Sequence, residues 1–383
     1  MNADGGGMKK GLLFFIAALC LGATQRAGAV EVNLGGRLHL DYAASQADAR
    51  AIDKHFLVRR AKLGLDGRFN EDWSFEVAYD FADVFDATED GIYKGDNKFR
   101  NGFDDIVLQY DGWRFADLAF GQFKVPFGLE ELTSSNNISF IERALPSDAF
   151  GPSRRVGIGL NSSHDHYTVA AMGFGKSFSD DDRGHGVAAR FTYAPINTPA
   201  RLLHFGVAGV IERPRGDVKF STRPESKASD IRLVSTGDLD DVHRIDRIGL
   251  EAAWRSGPFS VQAEWMRAAV GRDDGRADAH LQGWYVMGSW VLTGESREYK
   301  NGRFKGVSAG RPGGAWELTT RYSNVDLDDA DVRGGAEENF ALGLNYYVNR
   351  HLRIMANYIK ARSERKGKSD SPDILLVRMQ LAF

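Results

Sequence analysis

The chain has 383 residues, 49 Lys and Arg against 52 Asp and Glu, a formal net charge of −3 and a mean hydropathy of −0.36. That balance lacks the basic surplus by which nucleic-acid binders show themselves, and the single cysteine, Cys20, excludes a disulfide within the chain. Forty-three glycines, 24 phenylalanines, 12 tyrosines and 7 tryptophans suit tight turns and aromatic girdles better than a helical enzyme.

At the amino-terminus, Lys9-Lys10 precedes an apolar run over residues 12–21 and then Ala27-Gly28-Ala29. A basic start, about ten apolar residues and an A-x-A-like site read as a secretory signal over residues 1–29, with Met8 as an alternative start. The run is too short for a membrane-spanning helix, which needs about 20 apolar residues. From residue 30 on, about sixteen segments alternate with a period of two. Val32, Leu34, Leu38, Leu40 and Tyr42 share one face opposite Glu31, Asn33, Arg37, His39 and Asp41. Trp73, Phe75, Val77, Tyr79 and Phe81 repeat the pattern, as do Ile248, Leu250 and Trp254 against Arg247, Glu251 and Arg255. Later come Phe259, Val261 and Trp265, then Trp316, Leu318 and Tyr322, then Leu352, Ile354 and Tyr358. The last segment places Leu375, Val377, Met379, Leu381 and Phe383 on one face and stops on the aromatic carboxy-terminus. Short connections at 111–113, 162–165, 195–200, 256–258 and 349–350 alternate with longer polar ones. Residues 295–313 break the rule, being long where a short turn is expected.

Such a chain reads as all-β: a transmembrane antiparallel β-barrel of about sixteen strands, a single unit over residues 30–383. Apolar-out and polar-in alternation averages to a hydropathy that looks water-soluble. A soluble sandwich or propeller would alternate too. The export signal and the terminal Phe, which resembles the ends of outer-membrane barrels, argue against it, and closure removes the exposed edges of so large a sheet.

Gly121-Gln122-Phe123-Lys124-Val125-Pro126-Phe127-Gly128-Leu129-Glu130-Glu131-Leu132-Thr133-Ser134-Ser135, followed by Phe140-Ile141-Glu142-Arg143-Ala144-Leu145-Pro146, resembles the phosphate-selective porin O and P family. Gly35-Gly36-Arg37-Leu38, Val58-Arg59-Arg60-Ala61 and Gly314-Ala315-Trp316-Glu317-Leu318 extend the resemblance across nearly the whole mature chain. It implies a homotrimer of sixteen-stranded barrels in the outer membrane, set in lipid and lipopolysaccharide. The third loop, here about residues 124–154, would fold inward to narrow the lumen. The family's phosphate channels line that neck with two arginines, an aspartate, a lysine and two serines. Arg59, Arg60, Asp104, Ser134 and Ser135 match, whereas the lysine position holds Glu131 and should repel phosphate. Lys62 and Lys124 stand where those channels carry aromatic residues and would add positive charge. An inward fifth loop is implied over about residues 219–230, where Arg223 is kept but Ser221 and Glu225 thin the expected arginine ladder. Lys300, Arg303, Lys305 and Arg311, in the long connection, could attract anions at the periplasmic rim; Arg forks and Ser hydroxyls suit oxyanions stripped of water.

No catalytic, cofactor or metal site is read from the sequence. His164-Asp165-His166 falls in a turn with no third ligand, Asp180-Asp181-Asp182 lacks calcium-loop spacing, and no G-x-S-x-G, P-loop or C-x-x-C occurs. The reading is a porin for small anions, phosphate or polyphosphate among them, with no nucleic-acid partner. A general or weakly selective porin and, further off, a barrel enzyme are the alternatives.

Overall fold

The computed structural model describes residues 30–46, 56–82, 102–179, 184–228, 230–273 and 275–383. The signal region and the Asp180-Asp181-Asp182 run lie outside them. The first strands are β1 (Glu31–Gln46), β2 (Phe56–Arg68), β3 (Trp73–Asp80), β4 (Phe103–Tyr110), β5 (Asp117–Lys124) and β6 (Arg154–Ser163). Next come β7 (Tyr167–Phe174), β8 (His185–Asn197), β9 (Arg201–Arg213), β10 (Val242–Ser256) and β11 (Phe259–Arg272). The series ends with β12 (Ala279–Val291), β13 (Ala315–Asp329), β14 (Val332–Tyr347), β15 (Leu352–Arg365) and β16 (Asp373–Ala382). Each strand pairs antiparallel with its sequence neighbour, and β16 pairs with β1, so these sixteen strands close into a barrel.

Closure is made at the chain end. Phe383 exchanges backbone hydrogen bonds with Gly36, 3.0 and 3.1 Å long. Its ring lies so close that a Cβ on Gly36 would sit 2.6 Å from it. With no free edge, every wall strand has a hydrogen-bonded neighbour on both sides, as a spanning sheet in hydrocarbon requires.

The period-two pattern sorts as the sequence indicates. Leu250, Trp254, Val261, Leu318, Ile354, Leu375 and Met379 are exposed on the outside, while Glu251, Arg255, Gln262, Glu317, Thr319, Arg353 and Arg378 are buried within. Rings stack along the outer face, Phe259 on Trp290 and Trp316 on Tyr346 near the short turns, and Trp284 meets Tyr322 toward the other rim. Between these levels Leu318 opposes Leu344 across the β13–β14 pair. The outer face is therefore an apolar band bounded by aromatics. Among the described residues no helix is long and apolar enough to cross a membrane; the strands do the crossing.

Leu344→Arg would place a guanidinium in the middle of that band. It should cost about 2–4 kcal/mol of folding free energy against Leu344→Ala, read by denaturant titration of folding into lipid vesicles.

Candidate functional site

Among the described residues, three connections turn into the barrel. The third, residues 125–153, leaves β5 at Lys124 and forms two short helices, α1 (Leu129–Leu132) and α2 (Leu145–Phe150), joined by extended chain. The left-handed Gly128 (φ 77°) turns the backbone into α1, and its first donors meet a wall residue: Leu129 N and Glu130 N each donate to Glu264 of β11 at 2.7 Å. Phe127, Leu145 and Phe150 pack with Met266, Leu281 and Val325, so this side of the lumen is a solid apolar core.

The extended part has no strand beside it, and wall side chains satisfy its backbone instead. Arg353 donates to Ile138 O at 2.9 Å, Asn345 to Ser139 O at 2.9 Å, Arg378 to Ile141 O at 2.7 Å and Arg321 to Glu142 O at 3.1 Å. Asn357 accepts from Ile141 N at 2.7 Å. Polar wall residues on β13 to β16 therefore seat the loop, because a buried backbone group left unpaired costs about 1–3 kcal/mol.

The fifth connection carries a small ribbon, Ser221–Thr222 paired with Val234–Ser235, and folds against the third. Thr222 and Lys227 donate to Asp148 of α2, at 3.2 and 2.5 Å. The long connection after β12 enters from the short-turn rim as a hairpin, Arg297–Lys300 paired with Arg303–Val307. Tyr299 Oη lies 2.6 Å from His204 Nδ1, Arg190 donates to Gly302 O at 2.9 Å, and Phe304 packs with Leu129, Leu202 and Ala253. The excess length at 295–313 is a second inward brace beneath the third loop.

What remains open is a cavity of about 1240 Å³ along β1 to β8. Fourteen Arg and Lys face nine Asp and Glu on its described lining, an excess opposite in sign to the whole chain. Most of these charges are paired. Arg59 meets Glu142 at 2.6 Å, Arg60 meets Asp80 at 3.4 Å and Lys62 meets Asp104 at 2.8 Å. Arg154 meets Asp105 at 2.8 Å and Arg223 meets Asp230 at 2.6 Å. Arg37, by contrast, donates to Ser135 Oγ at 2.8 Å and lies 3.4 Å from Ser134 Oγ. Among the described residues no carboxylate oxygen lies within 4 Å of Arg37, Arg232, Arg303 or Lys305. On the brace, burial and the neighbouring Arg303 and Lys300 lower the Lys305 ammonium.

Two expectations change. Glu131 is no isolated anion at the neck: Arg143 stands 3.1 Å and Lys124 3.6 Å from its carboxylate. Alone, a carboxylate about 4 Å from an anion would repel it by about 4 kcal/mol at an effective dielectric near 20; two cations at similar range reverse the sign. Lys62 and Lys124, equally, add no free charge, since each is tied to a carboxylate. Arg303 and Lys305 line the cavity, whereas Lys300 and the exposed Arg311 do not. His164 and His166 lie in the β6–β7 turn beside Ser162 and Ala194 O, and no described group of three His, Cys, Asp or Glu is placed to hold a metal. Sequence reading missed Arg37, Asp105, Glu142, Arg143 and Arg154 as lumen residues. Arg37 had a signal, its place on the polar face of β1; Glu142 and Arg143 had only their place in the segment expected to fold inward, because a loop has no period.

Set beside known proteins, residues 32–383 match the family model described as phosphate-selective porin O and P. The chain belongs to this family. Porin O of Pseudomonas aeruginosa is 28% identical over 91% of this chain and 88% of its own length. In fold, an anion-selective porin from Comamonas acidovorans aligns over 93% of this chain and all of its own, with a TM-score of 0.60 and 14% identity. The outer-membrane channel DcaP of Acinetobacter baumannii aligns over 94% and 99%, with a TM-score of 0.58 and 13% identity. The protein is a porin of the bacterial outer membrane, and the lumen just described is its pore.

Electrostatics fix the seat of the porin's third loop. Burial opposes ionisation of Glu131, Glu142 and Asp148, yet their cationic partners outweigh it: Arg143 and Lys124 for Glu131, Arg59 and Arg378 for Glu142, Lys227 for Asp148. Each carboxyl therefore lies below its ordinary range, Glu142 furthest. A depressed carboxyl contributes stability that is present above its unfolded value, about pH 4, and lost only as pH falls through its lowered folded value. Glu142→Gln should destabilise the protein by about 3 kcal/mol. The gap in thermal midpoint between variant and parent should hold from pH 7 to pH 5 and narrow only at more acid pH.

Proposed function

We propose that this porin is an anion-preferring diffusion channel, weakly selective for small hydrophilic anions rather than specific for phosphate. The observation that carries the reading is the lining: cations outnumber carboxylates, yet most are ion-paired, and among the described residues only four stand apart. Arg37, beside Ser134 and Ser135, is the one of those four placed on the neck hydroxyls, where its fork and the serines replace the water of a passing oxyanion. Arg59, Arg60, Lys62, Asp104, Lys124 and Glu131 act as a balanced cluster that shapes the neck, and Arg223 lines it from the fifth loop. Arg303 and Lys305 form the exit station on the periplasmic side, with Lys300 and Arg311 beyond it. Weak binding favours throughput, since an ion held at every step leaves slowly. The exported chain begins near Val30 and assembles as a homotrimer. Family and fold are those of a channel rather than an enzyme.

In planar bilayers the purified protein should give a reversal potential of anion sign across a KCl gradient, with only modest block of chloride current by added phosphate. A cation-sign potential overturns the anion reading. Glu131→Lys should add a cation and leave Arg143 and Lys124 without their carboxylate, strengthening the phosphate block; an unchanged block would remove this position from the permeation path.

A further inference from the structure

Arg321 lies on β13 with its side chain 1% exposed, reaching the space between the third and fifth loops. Its Nη1 donates to Glu130 Oε1 of α1 at 3.2 Å and to Glu142 O at 3.1 Å. Nη2 lies 2.8 Å from Glu225 Oε2 of the fifth loop, whose other oxygen accepts from Ser323 Oγ at 2.5 Å. The guanidinium sits over the Phe140 ring, 4.2 Å from its centroid. Glu130 in turn accepts from Ala144 N and Ser147 Oγ, tying α1 to α2. One wall cation is thus shared by a carboxylate from each of these two loops. We propose that Arg321 is a positioning residue for ion selectivity, holding the fifth loop against the third and so keeping that loop's cations in the pore.

Three features support this. The fifth loop supplies Arg223, Lys227 and Arg232 to the lining and no carboxylate, so its withdrawal would cut the cation excess from fourteen against nine to eleven against nine. Its direct ion pair with the third loop, Lys227 with Asp148, has side chains 21% and 26% exposed, and water screens such a pair far more than the enclosed one. Burial pushes the Glu225 carboxyl up and Arg321 pulls it only part of the way back. Without Arg321 the buried carboxylate beside Glu130 must take up a proton or reach water, and either way the ionic tie that holds the loop is gone.

The selectivity half of the proposal rests on the anion-channel reading; the positional half does not, and the test separates them. Ala228, on the fifth loop itself, is buried, 2% exposed among Phe140, Ile141 and Tyr285. In a Cys20→Ser background, the thiol introduced by Ala228→Cys in reconstituted protein should resist a bulky maleimide reagent. Adding Arg321→Gln should raise the labelling rate on the order of tenfold or more, enlarge single-channel conductance and shift the KCl reversal potential toward zero. Glu225→Gln, which leaves Arg321 paired with Glu130, should do the same to a smaller degree and serves if Arg321→Gln does not fold. Unchanged protection of the thiol at position 228 in a folded Glu225→Gln or Arg321→Gln protein overturns the proposal. Faster labelling with an unmoved reversal potential overturns the selectivity half alone.

Discussion

From residue 136 to 142 the chain runs through the barrel with no strand alongside, and each amide it buries needs a partner. Hydrocarbon outside and packed side chains inside offer no water, so the wall itself must supply donors and acceptors. Arg353, Asn345, Asn357, Arg378 and Arg321 do so, each from an inward position of β13 to β16. The shape of the pore depends on this constraint. Once half the lumen wall is committed to seating the third loop, the solute path is confined to the opposite half, along β1 to β8.

The same commitment explains why so many charges in this pore are ion-paired. A loop laid against an arginine-bearing wall must bring carboxylates: Glu130 and Glu142 find cations there, while Glu131 is met by Arg143 of the loop itself. Buried pairs of this kind add little net stability over an apolar isostere, but removing one partner is expensive, which makes them good at fixing a loop in a single place. Few lining cations are then left without a carboxylate among the described residues. Arg37 is one, held at the neck by two hydroxyls rather than by a carboxylate.

Support comes from both rims. The fifth loop leans on α2 through Asp148, and the hairpin of the long turn reaches α1 through Phe304, with Gly302 at its tip in the left-handed conformation (φ 69°). A Cβ there would lie 2.8 Å from Thr168 Oγ1, so only glycine lets the tip approach the β7 wall. The pinch is a layered assembly in which each inward segment is held by the next and by the wall.

The strand count, the outward apolar face, the closing Phe383 and the unusual length of residues 295–313 were legible in the amino-acid order, because a strand's period of two writes burial directly into it. Arg59, Arg60 and Asp104 were placed at the lumen by the family resemblance and not by the period: the adjacent Arg59 and Arg60 both reach it where the β1–β2 register slips. What only the tertiary structure decided is who pairs with whom. Glu131 reads as a repulsive anion until Arg143, twelve residues on, and Lys124 are folded against it; Arg321 reads as one more wall residue until loops 191 and 96 residues away in sequence converge on it. Local periodicity determines which way a side chain points. Loops have no period, and the field at a pore's neck is the sum of charges brought together by them, so it exists only once the chain is folded.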